Sequence, residues 1–179
     1  MRRVLVVALL AAALAFAAWR WFERARTPVA PGAAPADTAS AGVKAVRLHF
    51  GSADGDTLVV ETRELPDAPD VHRRVAALVA ELDRGPLERG VAVLPPGTAA
   101  VHVYLDDAGL LTLDLSGAFV RGFRGGSRAE WLAVASLVRT LGDNVPEAKR
   151  ILLVSSGVAL PTLGGHVPLD RPLDPAEWP

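Results

Sequence analysis

Apolar and polar residues alternate from Val43 to Phe50 (VKAVRLHF) and again from Thr57 to Arg63 (TLVVETR), with the turn-forming GSADGD between them. This pattern predicts two strands joined as a hairpin. From Asp70 the period lengthens: Val71, Val75, Leu78, Val79 and Leu82 recur at helical spacing, with Asp70 placed to cap the start and Gly85-Pro86 to end the helix. An irregular connection from Leu87 to Thr98, containing LPPGT, leads into VHVYLD, a turn at Asp107-Ala108-Gly109, and LLTLDLS, which predict a second hairpin. Ser127 and Glu130 have capping-box spacing, and Trp131, Leu132, Ala135, Leu137, Val138 and Leu141 mark a second helix with Gly142 as its stop. The nearly continuous apolar run Arg150 to Ser155 (RILLVS) predicts a central strand buried on both faces or beneath a helix. The order ββα-ββα-β, with a proline-rich tail from Pro161, predicts an α+β fold in two layers: one mixed β-sheet covered by two helices.

Ahead of this domain the pattern is different in kind. Arg2 and Arg3 precede an unbroken apolar run from Val4 to Ala18, followed by Trp19, Arg20, Trp21 and Phe22. Two readings of this N-terminal hydrophobic helix stand. A basic start and an Ala15-Phe16-Ala17 cleavage pattern fit a signal peptide. Extension to Phe22 approaches the roughly 20 residues that span a bilayer, and the aromatic residues suit its interface, which favours a retained signal anchor. Arg20, Arg24 and Arg26 balance Arg2 and Arg3, so charge does not set the orientation; the signal-like order predicts an exported C-terminal domain. Residues 27–42 (TPVAPGAAPADTASAG) are too small and proline-rich to build a core and predict a flexible tether of roughly 20–25 Å reach. The predicted organisation is therefore 1–26 signal anchor or signal peptide, 27–42 linker and 43–179 domain.

Composition narrows the function classes. Half the chain is apolar and 22% is charged, which suffices for one independently folding domain. The net charge is −1, but residues 1–26 hold five arginines and one glutamate, so the remainder is mildly acidic. No basic cluster with interleaved aromatics follows residue 26, which argues against nucleic-acid binding. Cysteine is absent, removing disulfides, thiolate metal sites, a cysteine nucleophile and attachment through a lipid-modified cysteine.

Candidate chemistry is sparse. His49, His72, His102 and His166 lack the spacing of a helical metal pair. Asp54 and Asp56, and Asp106, Asp107 and Asp114, flank turns where aspartates ordinarily bind nearby backbone N–H groups, and none forms an EF-hand pattern. Ser116, Ser155 and Ser156 sit in no nucleophile motif. Arg121 to Gly126 (RGFRGG) lacks the Lys-Ser/Thr ending of a phosphate loop and predicts a surface loop. In Gly164-Gly165-His166 the glycines predict a tight turn beside the sheet. No catalytic, cofactor-binding or metal residue is assigned, and no cofactor is expected.

A family likeness rests on Gly85-Pro86 with Gly90, Leu94-Pro95-Pro96-Gly97-Thr98, Val101-His102-Val103 with Gly109, and Leu113-Asp114-Leu115-Ser116. It continues through Ser127 with Glu130, Thr140-Leu141, Ile151 to Gly157, and Gly164-Gly165-His166-Val167 before Pro172-Leu173. In this order and spacing, the segment from Val46 to Leu173 resembles a GerMN domain, a family named for sporulation and germination proteins and found in bacterial envelope lipoproteins. The resemblance implies a non-enzymatic interaction domain at the outer face of the cytoplasmic membrane, similar in architecture to ring-building modules. Its partners would be other envelope proteins, the membrane through the N-terminal helix, or further copies of itself. Three departures stand out: no lipid-attachment cysteine, one domain rather than two, and Ser155-Ser156 where the family commonly has an acidic residue before Gly157. An alternative from another class is a small-ligand or cell-wall-glycan module with Phe119, Phe123, Trp131 and Trp178 lining a groove.

Overall fold

The computed structural model describes residues 42–179, so the predicted anchor and nearly all of the predicted linker lie outside the described residues. The first hairpin pairs β1 (Val43–Gly51) with β2 (Leu58–Pro66), antiparallel, with Leu48 opposite Glu61. Helix α1 (Val71–Arg84) follows, capped by Asp70, whose carboxylate accepts the N–H groups of His72 and Arg73, and closed at Gly85. Strands β3 (Ala100–Leu105) and β4 (Leu110–Leu115) form the second hairpin. After the short helix α2 (Gly117–Gly122) and the long α3 (Ser127–Asn144), β5 (Arg150–Ser155) runs parallel to β4. It then turns through Ser156-Gly157 into β6 (Val158–Ala159). Among these residues no helix is long and apolar enough to cross a membrane.

The α+β class is as expected, but the single mixed sheet is not. The strands divide into an antiparallel β1–β2 ribbon and a mixed four-stranded sheet in the order β3-β4-β5-β6. The physical reason lies on α3. Ser136, Thr140 and Asn144, each four residues from the next, present one polar stripe to the outer edge of β1. Ser136 Oγ donates to the His49 carbonyl at 2.5 Å, His49 N–H donates to Thr140 Oγ1 at 3.0 Å, and Asn144 receives Arg47 N–H at 3.0 Å and donates to its carbonyl at 2.7 Å. Gly51 completes the edge by exchanging both backbone bonds with Val91. A strand edge must satisfy these groups somewhere; here a helix supplies what a third strand would.

One apolar cluster joins the two sheets. Leu48 and Phe50 of β1, Leu78 and Leu82 of α1, Leu111 and Leu113 of β4, Leu137 and Leu141 of α3, and Ile151 and Leu153 of β5 are all buried in it. Full burial of each such side chain contributes about 1.5–3 kcal/mol. The central position predicted for RILLVS holds: β5 lies between β4 and β6, and Ile151 also exchanges two backbone bonds with Leu173 of the tail.

Two expectations about α3 fail. Gly142 does not end the helix, which continues to Asn144; instead it lets the tail approach, since a Cβ there would lie 2.4 Å from Pro175 Cβ. Ser127 and Glu130 form no capping box. The helix is capped at Gly126 without a side-chain bond, because Glu130 is engaged elsewhere.

Candidate functional site

A concavity of about 750 Å³ runs between the loop Val91–Pro96 and the segment from Gly122 into the first turn of α3. Leu94 and Leu132 are buried at its base, and Phe123 contributes a partly buried ring. The Leu94–Thr98 wall is fixed by Asp83 at the end of α1, which accepts the N–H groups of Gly97 at 2.8 Å and Thr98 at 3.0 Å. Thr98 Oγ1 in turn donates to the Pro95 carbonyl at 2.5 Å. On the opposite wall, Arg124 donates to the carbonyls of Arg121 and Phe123, while Arg128 reaches Asp56 at 3.3 Å and lies over the Trp131 ring. Arg124 and Arg128 are the charged residues lining the groove, and no carboxylate or imidazole lines it. The arrangement offers shape and apolar surface, without a paired acid and base.

The acidic and hydroxyl groups serve the fold instead. Glu130, fully buried, accepts the backbone N–H groups of Leu163 and His166 at 2.9 Å each and also meets His166 Nδ1 at 2.9 Å. Burial alone would raise its pKa. The N–H groups of Gly164, Val167, His166 and Leu163 outweigh that and hold it at about 2. Gly164 allows this embrace, because a Cβ there would come 2.6 Å from the Phe123 ring and 3.2 Å from Glu130 Oε2. Thus the Leu163–Val167 loop is drawn against the first turn of α3 beside the groove.

A second buried cluster ties the ribbon to α1. Arg63 on β2 pairs with Glu61 at 2.7 Å and Glu81 at 2.6 Å, and donates to the Gly85 carbonyl at 2.6 Å. Its guanidinium lies 5.3 Å from the centre of the Phe50 ring. Glu61 also accepts the N–H groups of Leu87 and Glu88. Burial pushes its pKa up, but the bonds from Glu88, Arg63 and Leu87 prevail and leave it lowered. Fully bonded, such a cluster is tolerated in the interior; losing one member strands the others.

The residues singled out in the sequence do not converge. His49 is buried against Asp143, Nε2 to Oδ2 3.0 Å, and burial lowers its pKa despite that carboxylate. His102 lies 3.6 Å from Asp114, His166 meets Glu130, and His72 sits in the first turn of α1. Ser116 Oγ bridges the Gly97 carbonyl and the Ala99 N–H, Ser155 Oγ donates to the Leu115 carbonyl, and Ser156 occupies the β5–β6 turn with φ of 54°. Asp54 bonds Ser52 Oγ and the Asp56 N–H, Asp106 accepts the Leu110 N–H, and Asp114 accepts that of Gly157; Asp107 is exposed. Among the described residues no group of three or more His, Asp or Glu could hold a metal ion. The predicted loop Arg121–Gly126 is shorter than expected, since Arg121 and Gly122 belong to α2. The four aromatics do not share a groove. Phe119 is in the core, Phe123 lines the groove, and Trp131 pairs with Trp178 at 6.2 Å around a smaller cleft of about 230 Å³. Sequence reasoning missed the Ser136/Thr140/Asn144 stripe, although its spacing was legible, and the Glu61–Arg63–Glu81 cluster, whose third member lies 18 residues from Arg63 on another element.

A paired ribbon, a mixed sheet and two long helices around one core, with polar groups committed to holding loops, define a small α+β domain of the GerMN type. Solved structures share that fold. A candidate lipoprotein from Clostridium perfringens superposes with a TM-score of 0.53 at 20% identity, covering 77% of this chain and 91% of that one. The first GerMN domain of the sporulation protein GerM from Bacillus subtilis gives 0.58 at 20% identity, covering 73% and 97%. The tandem GerMN domains of GerM give 0.60 at 19% identity, with this chain spanning 48% of that structure. Residues 47–160 match the Germane family, described as sporulation and spore germination, and the chain belongs to that family. No protein of curated function matches it in sequence.

Proposed function

We propose that this chain is a non-catalytic interaction or scaffolding domain of the bacterial cell envelope, tethered outside the cytoplasm by residues 1–26 and assembling with other envelope proteins. The observation that carries this reading is the commitment of its polar chemistry to structure. Glu130, Glu61, Arg63, Glu81, Ser136, Thr140 and Asn144 all hold backbone or each other. The basic and apolar N-terminal pattern and the lipoprotein description of one structural neighbour support an envelope setting. Cross-linking the full chain in intact membranes, followed by affinity capture, tests the assembly. Adducts containing other envelope proteins are expected, and a chain recovered solely as monomer contradicts the reading.

A second reading, a small-ligand or cell-wall-glycan module, has the 750 Å³ groove in its favour. The dispersal of its four aromatics weighs against it, since stacking on a sugar or ring needs them side by side.

A further inference from the structure

The groove beside α3 has two walls of different chemistry. On one, Val91 exchanges both backbone bonds with Gly51, and the chain then runs on without partners: among the described residues no group bonds to the N–H or C=O of Ala92, Val93 or Leu94. Pro95 and Pro96 follow, and lacking an N–H they end this run of donors at Leu94. On the other wall, Arg124 bonds through Nη1 alone, to the carbonyls of Arg121 and Phe123 in its own turn, and no carboxylate pairs with it. Arg128 has one such partner, Asp56 of the β1–β2 turn at 3.3 Å, with the two side chains 58% and 67% exposed. An exposed pair of this kind contributes little and can exchange Asp56 for another carboxylate. Between the walls lie Leu94, Leu132, Ala129 and the Phe123 ring.

We propose that this groove docks an extended peptide segment of another envelope protein, one that carries acidic residues among apolar ones. The occupant follows from what each wall lacks. Unpaired N–H and C=O groups on successive residues beside a trough are matched by a second backbone, as in strand addition; a lipid or a small anion brings no such ladder. The apolar floor accepts apolar side chains, which an extended chain directs to one face at every second residue. The charges lining the groove are both positive, so an acidic side chain on the docked segment meets a complementary charge and a basic one is repelled. Arg124 braces only its own turn and Arg128 only an exposed pair, so both can turn to a partner without loss to the core. This docking rests on the interaction-domain reading above and gives it a surface and a partner chemistry.

A displayed library of random peptides, selected against the full chain in phosphatidylcholine nanodiscs with empty nanodiscs as control, tests this without naming the partner in advance. Enriched peptides are expected to place Asp or Glu among Val, Leu, Ile or Phe, and to bind the Arg124→Gln/Arg128→Gln chain about tenfold more weakly. The Arg124→Glu/Arg128→Glu chain is expected to reverse the choice and enrich Lys or Arg in place of the acids. Both arginines are exposed, so the thermal transitions of these variants should stay where they are. N-methylation of an enriched peptide at every second backbone nitrogen should abolish binding in one phase and be tolerated in the other, as strand addition requires. No enrichment over empty nanodiscs, the same peptides from the native and charge-reversed chains, or an enriched set without acids overturns the proposal. Arginine-dependent binding to phosphatidylglycerol vesicles or arginine-dependent self-association, without peptide enrichment, gives the groove to a lipid or a second copy and overturns it as well. Membrane adducts with other envelope proteins that persist in the charge-reversed chain remove the groove and leave the scaffolding reading standing. Peptide enrichment from a chain recovered in membranes solely as monomer keeps the groove's chemistry and removes the envelope assembly.

Discussion

A glutamate in the first turn of a helix ordinarily faces solvent and answers the helix dipole. Glu130 instead points inward and gathers the Leu163–Val167 loop, with its pKa held at about 2 against the ordinary 4.5. A carboxyl whose pKa falls on folding contributes stability that is complete above its unfolded value and is lost as pH falls through its folded one. The contribution of Glu130 is therefore full at neutral pH and fades from about pH 4.5 towards pH 2. Glu130→Gln keeps the shape but turns an NH2 towards backbone donors, and is expected to lower stability by about 2 kcal/mol at pH 7. Thermal melts of both proteins across pH should converge as pH approaches 2; a gap independent of pH contradicts the assignment. His49 acts in the same sense at higher pH. Burial lowers its pKa, so the unfolded chain takes up its proton first as pH falls below about 6.5, and stability declines with acidification.

At the scale of elements, α3 is both a core helix and a surrogate strand. Thr140→Val preserves volume and leaves the buried His49 N–H without its acceptor. The expected cost is about 1–3 kcal/mol. Urea denaturation measures that cost, and amide exchange at His49 should accelerate; an unchanged midpoint would show that the stripe does not brace β1. Much of this level was legible from periodicity. The hairpins, the helix from Asp70 to Gly85 and the strand Arg150–Ser155 all follow from local spacing and turn chemistry. What failed depends on contacts between segments distant in sequence. Gly142 reads as a stop locally, yet α3 continues because its next turn is held by Asn144 on β1 and Val145 N–H on Leu141. The capping box fails because a loop more than thirty residues later offers Glu130 backbone donors. The groove was hidden for the same reason: Val91–Pro96 reads as an irregular connection until Asp83 and Gly51 fix its two ends. Partition into two sheets was equally invisible, since alternation marks strands without naming their neighbours.

At the scale of the whole molecule, the buried carboxylates and hydroxyls of Glu130, Glu61, Glu81, Ser136 and Thr140 brace the fold. What faces outward is surface: a mostly apolar groove with two arginines on its rim and an open strand edge. On the proposed reading the molecule acts by holding a partner, and its setting decides what it meets. The proposed location of residues 43–179 outside the cytoplasm, on a tether whose composition predicts roughly 20–25 Å of reach, would confine encounters to the membrane surface and raise the effective concentration of partners there. The most direct test of that placement uses a single cysteine at Leu87, which is 70% exposed in a chain otherwise free of thiols. Intact spheroplasts carrying the full-length Leu87→Cys chain are treated with a membrane-impermeant maleimide, before and after lysis. The account predicts full labelling before lysis; labelling that requires lysis would contradict it.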